Sequence, residues 1–412
     1  MYIALSLYAL IFLLFIWSYC GYLLTLTTLA LIYHRKPRGD SIMPHHGTFP
    51  RIAMVVPCQN EKGLVDQKVR NCEAMQYDGG LEIYFAHGLS GDGTAEEILS
   101  CIAGKSRMHL LECGCTGKIP QLNTALAAIR TKADIVVCSD MDAVLEADAV
   151  AKIAEEFMTR EEVWVVGAVI LPLTAMAIEE RYWQDQNLMR SLESRISTSS
   201  IVVAPCYAFR SNLLQSFPAD CVADDVFVSF LANTLGWKTS FLETITGQEV
   251  RTPKNIFEFL YHKYRKGNAF FLEVLRFLYR LPEMRGWWKI IYLTKFLQIA
   301  VIPWLLPLFF LSMISFMIAG GLFMKVAVFT LMLTVISLII VTTTLDVYQI
   351  FRRQKASRRK GGLVLPFILS NIVLIAVALS FPFYRQSSCY GRMRKQDDPI
   401  PVPPPSVTKD PA

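Results

Sequence analysis

The pattern of hydrophobic and polar positions divides the chain into apolar ends and a middle part in which short strands and helices alternate. Residues 3–32 form one apolar segment, longer than the roughly 20 residues that a membrane helix needs. Three further apolar segments lie near 299–319, 323–350 and 363–383. The pattern therefore predicts an N-terminal transmembrane helix, a folded middle part and a group of C-terminal transmembrane helices.

The middle part begins at Arg51 and alternates between patterns with a period of two residues and patterns with helical periodicity. Strands are predicted over residues 51–56 (ended by Pro57), 81–86, 107–112, 135–138, 163–170, 201–209 and 237–242. Helices are predicted over residues 61–76, after Thr94, over 119–130 and 179–195, from Asp224, and over 254–280. This order predicts an α/β domain with an open, mostly parallel sheet covered by helices.

Charged residues place this domain relative to the membrane. Arg35, Lys36 and Arg38 follow the first apolar segment, and the positive-inside rule then puts the domain in the cytoplasm. Residues 286–298 mix Trp and Lys, which is typical of a helix lying in the membrane interface. We expect a multi-pass protein of the plasma (inner) membrane. Its predicted parts are residues 1–33, 34–285, 286–298, 299–384 and a basic, proline-rich tail over 385–412.

Composition supports the membrane interpretation. Hydrophobic residues make up 53% of the chain, and the mean hydropathy is +0.36. The net charge of +6 lies largely beside apolar segments, which favours a membrane protein and not a nucleic-acid partner. The ten cysteines are scattered, so we expect neither a disulfide framework nor a structural zinc site.

The strongest candidate chemistry follows the strand predicted over 135–138. Asp140 and Asp142 are two carboxylates just past its C-terminal end, where an α/β sheet binds ligands. Such a pair is well placed to hold a hard divalent cation shared with a phosphate-bearing substrate. Two solvated acids in a turn are the alternative.

Four segments in order strengthen the first interpretation, namely residues 56–61, 117–126, 139–142 and 222–226. Their order and spacing resemble the membrane-bound family 2 glycosyltransferases, the group of the cellulose, hyaluronan and poly-N-acetylglucosamine synthases. Local matches over 181–183, 193–195 and 207–210 add to the resemblance, which runs from about Arg51 to the last apolar segment. The resemblance implies a cytosolic GT-A (Rossmann-like) domain, with a nucleotide-sugar half and an acceptor half, embedded in a multi-pass α-helical membrane frame.

The resemblance also implies roles for individual residues. Asp140 and Asp142 would serve the cation, Mg²⁺ or Mn²⁺, and Asp225 would be the base that deprotonates the acceptor. Capping of the following helix is the alternative for Asp224 and Asp225. The nucleotide-sugar would contact Pro57, Asn60, Glu61, Asp92, Lys118 and Asn123. Helix capping for Asn60 and Glu61, turn chemistry for Asp92 and a solvated surface position for Lys118 are the corresponding alternatives.

The sequence departs from the family at two places. His87-Gly88-Leu89 stands where the family has Asp-Asp-Gly, which removes a carboxylate expected to hold the nucleotide. Residues 260–264 stand where the synthases have QxxRW, which argues against polymer synthesis and for transfer of one sugar or a few. Expected contacts to acceptor or diphosphate are Asp224, Lys263, Tyr264 and Arg265. A basic helix at the anionic inner leaflet is the alternative for Lys263 and Arg265.

The leading hypothesis is an inverting glycosyltransferase that uses a nucleotide-diphosphate sugar, with a UDP-linked donor expected. Its acceptor would be a lipid-linked sugar or a polysaccharide in cell-envelope or exopolysaccharide biosynthesis. Membrane lipids and export or assembly proteins are the expected partners, and nucleic acid is not. A catalytically silent scaffold of a polysaccharide export complex is the second hypothesis. A transporter is disfavoured, because the apolar segments carry few polar residues.

Overall fold

An eight-stranded mixed sheet forms the centre of the computed structural model. The structure describes residues 10–32, 49–173, 177–305 and 364–385, with isolated positions between 307 and 341. The strands are β1 Ile52–Cys58, β2 Leu81–His87, β3 Met108–Glu112, β4 Ile135–Cys138, β5 Ala143–Leu145, β6 Val163–Pro172, β7 Tyr207–Arg210 and β8 Lys238–Glu249. Their order across the sheet is β3-β2-β1-β4-β7-β6-β8-β5.

The helices of the described residues cover both faces of this sheet. They are α1 Leu10–Ile32, α2 Val65–Glu73, α3 Thr94–Ile102, α4 Lys118–Ile129, α5 Ala149–Thr159, α6 Ala177–Ile196, α7 Asp224–Thr234, α8 Ile256–Arg276, α9 Gly286–Phe296 and α10 Val364–Ser380. Adjacent positions of β1 enter opposite cores: Ala53 and Val55 pack with α4 and α7, whereas Met54 and Val56 pack with α2 and α5. A strand buried on both faces explains the continuous apolar run in the sequence.

The prediction of a mostly parallel sheet is confirmed for six of the eight strands, including the parallel pair β6 and β8, whereas β5 and β7 run in the opposite direction and make the sheet mixed. β1, β2, β3 and β4 are parallel, as expected for crossover connections, but β7 runs antiparallel to both β4 and β6. β5 also runs antiparallel to β8. The strand predicted over 201–209 is only Tyr207–Arg210, because the chain before it forms a single isolated bridge between Val203 and Cys206.

Pro57 lies inside β1 instead of ending it. The carbonyl of Val55 accepts a hydrogen bond from the Ser139 amide on the β4 side, and Pro57, two residues on, faces the same way. The β1–β4 ladder ends at the pair Val55–Cys138. The missing amide of Pro57 therefore costs no ladder bond.

The N-terminal helix α1 is the one described helix that is long and apolar enough to cross a membrane. It is also docked onto the domain. Trp17 Nε1 donates to Thr294 Oγ1 at 3.0 Å, and Tyr22 OH donates to Glu193 Oε1 at 2.7 Å. Most of the apolar segments predicted at 299–319 and 323–350 lies outside the described residues, as do the basic residues 35–38. Part of the segment predicted at 363–383 forms α10.

Candidate active site

The turn that carries Asp140 and Asp142 lies at the carboxyl end of β4, beside the carboxyl end of β1, where the strand order reverses. It is held from beneath by Lys68 of α2, which is 1% exposed. Lys68 Nζ donates to Ser139 Oγ at 2.7 Å and to the Ala143 carbonyl at 2.8 Å. Burial lowers the pKa of Lys68. These two bonds fix the residues immediately before and after the carboxylate pair.

Each carboxylate of the pair has one oxygen engaged by a basic side chain. Lys118 Nζ lies 2.9 Å from Asp140 Oδ1, and Arg251 Nε donates to Asp142 Oδ2 at 2.7 Å. Burial raises the pKa of Asp140, with the charges of Asp142 and Asp224 adding to the effect and Lys118 opposing it. Two acids this close together disfavour their own ionisation unless a cation is near.

The donor set fits a divalent cation in part. Within the described part of the chain, the second oxygens of Asp140 and Asp142 have no hydrogen-bond or ion-pair partner. Carboxylate oxygens are the ligands that Mg²⁺ and Mn²⁺ prefer. No group of three or more His, Cys, Asp or Glu among the described residues is arranged to hold a metal ion. The remaining ligands would therefore have to come from substrate phosphates or water, as Mg²⁺ sites often arrange.

Asp224 and Asp225 begin α7, and the capping position before them is Ala223, so neither aspartate is the N-cap. Both lie in the first turn, where the helix dipole favours negative charge. Asp224 is buried, accepts a hydrogen bond from Tyr207 OH at 2.6 Å and pairs with Lys118 Nζ at 3.0 Å. Lys118 thus joins the second acidic pair to Asp140.

Asp225 differs from its neighbour. Within the described residues no side chain donates a hydrogen bond to its carboxylate, which is partly exposed. Burial and the charge of Asp224 raise the pKa of Asp225 to about 6, against the opposing charges of Lys118 and Lys266. A carboxylate that takes up a proton near neutral pH is suited to general-base chemistry.

The loops after β1 and β2 are joined to each other by side chains that the sequence predicted as nucleotide contacts. Asn60 adopts a left-handed conformation, with φ of 54°, and its Oδ1 accepts from the Gly91 amide at 3.0 Å. Asp92 accepts from the amides of Lys62 and Thr94, both at 3.1 Å. Turn chemistry is therefore part of the role of Asp92. Pro57 is buried in β1.

Glu61 reaches the carboxylate pair through Arg251. Arg251 Nη2 donates to Glu61 Oε1 at 3.0 Å while its Nε holds Asp142. Glu61 and Asp142 are 8% exposed. One arginine after β8 thus connects the loop after β1 with the turn after β4.

His87, which marks a departure from the family pattern, and Asn123, a predicted nucleotide-sugar contact, both make structural contacts. The His87 ring bonds Glu112 Oε2 at 2.7 Å and Ser90 Oγ at 2.9 Å, so both of its nitrogens have partners. The Asn123 side chain pairs with the backbone amide and carbonyl of Phe217, at 2.7 and 2.9 Å. It thereby ties α4 to the segment that precedes α7.

The three residues of α8 that were predicted to contact the acceptor or the diphosphate, Lys263, Tyr264 and Arg265, have different surroundings. Lys263 pairs with Glu179 at 3.1 Å and lies 3.4 Å from the centre of the Tyr182 ring. Burial lowers the pKa of Lys263 to about 7. Tyr264 is hydrogen-bonded to Ser380 of α10, at 2.5 Å, whereas Arg265 is partly exposed. These contacts do not bring Lys263 and Tyr264 to Asp225.

Sequence reasoning missed three basic residues that act on the acids. Lys266 opposes the raised pKa of Asp225 and that of Glu249, which burial raises to about 7. The burial of Lys68 could have been predicted, because Lys68 falls on the apolar face of α2, three residues after Val65 and one before Val69. The sequence carries no signal for the role of Arg251, since only the strand pairing brings Arg251 to Asp142.

Comparison with known proteins agrees with this geometry. The family described as "Glycosyltransferase like family 2" matches residues 50–269, more than half of the chain. No curated protein sequence matches the chain. Among solved structures, the mannosyltransferase PcManGT from Pyrobaculum calidifontis, in complex with GDP-Man and Mn²⁺, has a TM-score of 0.64 at 21% identity. The match covers 90% of this chain and 98% of that one.

A second solved structure is the glucosyl-3-phosphoglycerate synthase from Mycobacterium tuberculosis, in complex with Mn²⁺, UDP and phosphoglyceric acid. It has a TM-score of 0.37 at 20% identity and covers 50% of this chain and 72% of its own. The likeness to PcManGT shows that the mixed sheet has a GT-A-like fold. The chain belongs to glycosyltransferase family 2.

Proposed function

We propose that the protein is a membrane-associated, inverting glycosyltransferase that moves a sugar from a nucleotide-diphosphate donor to a lipid-linked or polysaccharide acceptor. The observation that carries the proposal is the different state of the two aspartates at the start of α7. Asp224 is committed to Tyr207 and Lys118, whereas Asp225 lacks a side-chain hydrogen-bond donor among the described residues and has a pKa near 6. Asp225 is therefore the residue of the pair that can accept a proton.

In the proposed reaction, Asp225 takes the proton of an acceptor hydroxyl. The hydroxyl oxygen then forms the new bond to the anomeric carbon as the bond to the diphosphate breaks, with inversion. Asp140 and Asp142 would hold a divalent cation, Mn²⁺ or Mg²⁺, which when bound supplies positive charge to the departing diphosphate. Lys118 keeps the base-bearing turn and Asp140 in register, because it contacts Asp140 and Asp224 at 2.9 and 3.0 Å.

The membrane part of the proposal rests on α1 and α9. α1 is apolar over 23 residues and is hydrogen-bonded to α9 and α6. α9 buries Trp288 and Ile291 against the domain and leaves Ile290 and Leu293 exposed, as expected for a helix at a membrane surface. A catalytic domain held against its own anchor favours an acceptor that is attached to the membrane.

The test measures nucleotide release by the full-length protein in detergent. UDP-, GDP- and dTDP-sugars are supplied with Mn²⁺, Mg²⁺ or EDTA, for wild type and Asp225→Asn. We expect metal-dependent release from one donor, reduced at least 100-fold by the substitution, since general bases contribute about 10²–10⁴. Asp220→Asn is the matched control, because Asp220 is exposed and its side chain forms an ion pair only with Arg276 among the described residues.

Release that persists in Asp225→Asn would contradict the assignment of the base. Release from no donor, with or without membrane lipid extracts as acceptor, would instead favour the non-catalytic scaffold.

A further inference from the structure

Arg251 is the feature that the proposed reaction leaves unused. It follows β8 and lies between two buried acids from different strand ends. Its Nε donates to Asp142 Oδ2 at 2.7 Å, and its Nη1 lies 2.9 Å from Glu61 Oε2. The three side chains are only 10–17% exposed. The guanidinium is thus enclosed at the carboxylate that the divalent cation would use.

A metal ion at Asp142 would share that carboxylate with the Arg251 guanidinium, which holds Oδ2. Positive charges a few ångströms apart repel strongly in a site of low dielectric. The charge of Arg251 is permanent, because arginine stays protonated in proteins. A metal ion that enters alone must therefore displace or tolerate a fixed positive charge.

A donor changes that balance, because its diphosphate brings negative charge to the same place. Guanidinium groups pair well with phosphate oxygens. Arg251 could then exchange Asp142 for a phosphate oxygen without being left unpaired, since its Nη2 still donates to Glu61 and its Nη1 lies beside the same carboxylate.

We propose that Arg251 is a resident counter-ion that occupies Asp142 in the donor-free enzyme and makes binding of the divalent cation depend on the donor diphosphate. This inference rests on the proposed function, in which Asp140 and Asp142 hold the cation. It requires weak binding of metal alone and positive coupling between metal and nucleotide. Such coupling is reciprocal, so each ligand raises the affinity for the other by the same factor.

The test is Mn²⁺ binding to the full-length protein in detergent, followed by the electron paramagnetic resonance signal of free Mn²⁺, with and without UDP or GDP. Arg251→Gln should bind Mn²⁺ alone at least tenfold more tightly than wild type and should lose most of the enhancement by nucleotide. Arg251→Lys keeps the charge but loses the planar fork that spans Asp142 and Glu61, so its affinity for Mn²⁺ alone should lie between that of wild type and that of Arg251→Gln. Arg276→Gln is the matched control, since Arg276 also bridges two acids, Glu273 and Asp220.

Asp142→Asn, made alone and with Arg251→Gln, distinguishes a failure of the metal assignment from a failure of the counter-ion role. If it leaves Mn²⁺ affinity unchanged, the metal assignment of the proposed function fails. If it weakens binding while Arg251→Gln binds no more tightly than wild type, the counter-ion role is overturned and the metal assignment stands. Wild type gives a second readout that needs no variant: enhancement of Mn²⁺ affinity by nucleotide of less than threefold overturns the inference.

Discussion

The buried lysine beneath the Asp140–Asp142 turn offers a sharp test of how the carboxylate pair is positioned. Lys68→Met keeps nearly the volume of the side chain, although methionine is one atom shorter, and it removes the ammonium group. Two hydrogen bonds are lost, to Ser139 Oγ and to the Ala143 carbonyl. Ser139 Oγ still donates to the Pro205 carbonyl at 3.0 Å, so the Ala143 carbonyl is the group that loses most.

The net effect follows from opposing contributions. Hydrogen bonds from a charged donor contribute about 1.5–3 kcal/mol each, so about 3–6 kcal/mol is lost. The buried ammonium costs several kcal/mol of desolvation, which methionine does not incur. We expect a net loss of about 1–3 kcal/mol in the free energy of unfolding, comparable with one unsatisfied buried acceptor. The larger effect should fall on metal-dependent activity, since the turn is no longer fixed at either end.

Lys68 also gives the effect a pH signature. Its pKa is lowered in the folded protein, so the unfolded chain binds the proton more readily. Stability therefore rises as pH increases between the lowered pKa and the ordinary value near 10.5. Lys68→Met should reduce this rise by the contribution of Lys68, while Lys263, with a pKa of about 7, keeps its own contribution.

The assay is thermal unfolding in detergent, together with the Mn²⁺ concentration that gives half-maximal nucleotide release. Lys68→Met should lower the Tm by a few degrees and raise that concentration. Lys105→Met is the control, because Lys105 forms a surface pair with Glu73 and such pairs contribute little. An unchanged Tm and an unchanged Mn²⁺ requirement in Lys68→Met would refute the role of Lys68.

Other predictions concern the base and the loop after β2. Activity of the wild type should rise with pH to a plateau with an apparent pKa near 6, because Asp225 must lose its proton, and a flat profile from pH 5 to 8 would contradict this. Asp225→Asn should raise the Tm at pH 8, because a folded-state pKa about two units above the ordinary value makes ionisation cost about 2–3 kcal/mol. Gly88→Ala should lower the free energy of unfolding by about 1–3 kcal/mol, since the added Cβ would lie 2.8 Å from the Cys115 carbonyl oxygen. Thermal unfolding measures this loss, and Gly91→Ala is the control, because a Cβ there meets nothing within 4 Å.

How much could be predicted from the sequence depends on whether a feature is local. The strand Ile135–Cys138 and the start of a helix at Asp224 were confirmed, because each has a local signal of apolar residues or acids. β5 was not predicted, since three residues carry too little pattern and the strand exists only by pairing with β8. The direction of β7 was also not readable, because alternation along a strand is the same in parallel and antiparallel pairs.

The residues of the site show the same difference between local features, which the sequence predicts, and non-local contacts, which it does not. Asp140, Asp142, Asp224 and Lys118 were named from ordered motifs, and Lys118 pairs with both Asp140 and Asp224. The contact of Asp142 with Arg251 depends on where β8 ends relative to β5, which no periodicity encodes.

The docking of α1 has a consequence for biosynthesis. α1 is made first, but its partners Thr294 and Glu193 follow it by 277 and 171 positions. Long-range contacts of this kind form slowly. Glu193 is fully buried, and its carboxylate also binds Lys295 and the Ser200 amide, so it reaches its final environment only after most of the domain has been synthesised. In the membrane-associated enzyme proposed above, Trp17 and Tyr22 would enter the bilayer before their partners are synthesised and would pair only when the domain closes on α1. A chain that stalls before α9 would then carry an inserted helix without a folded domain beside it.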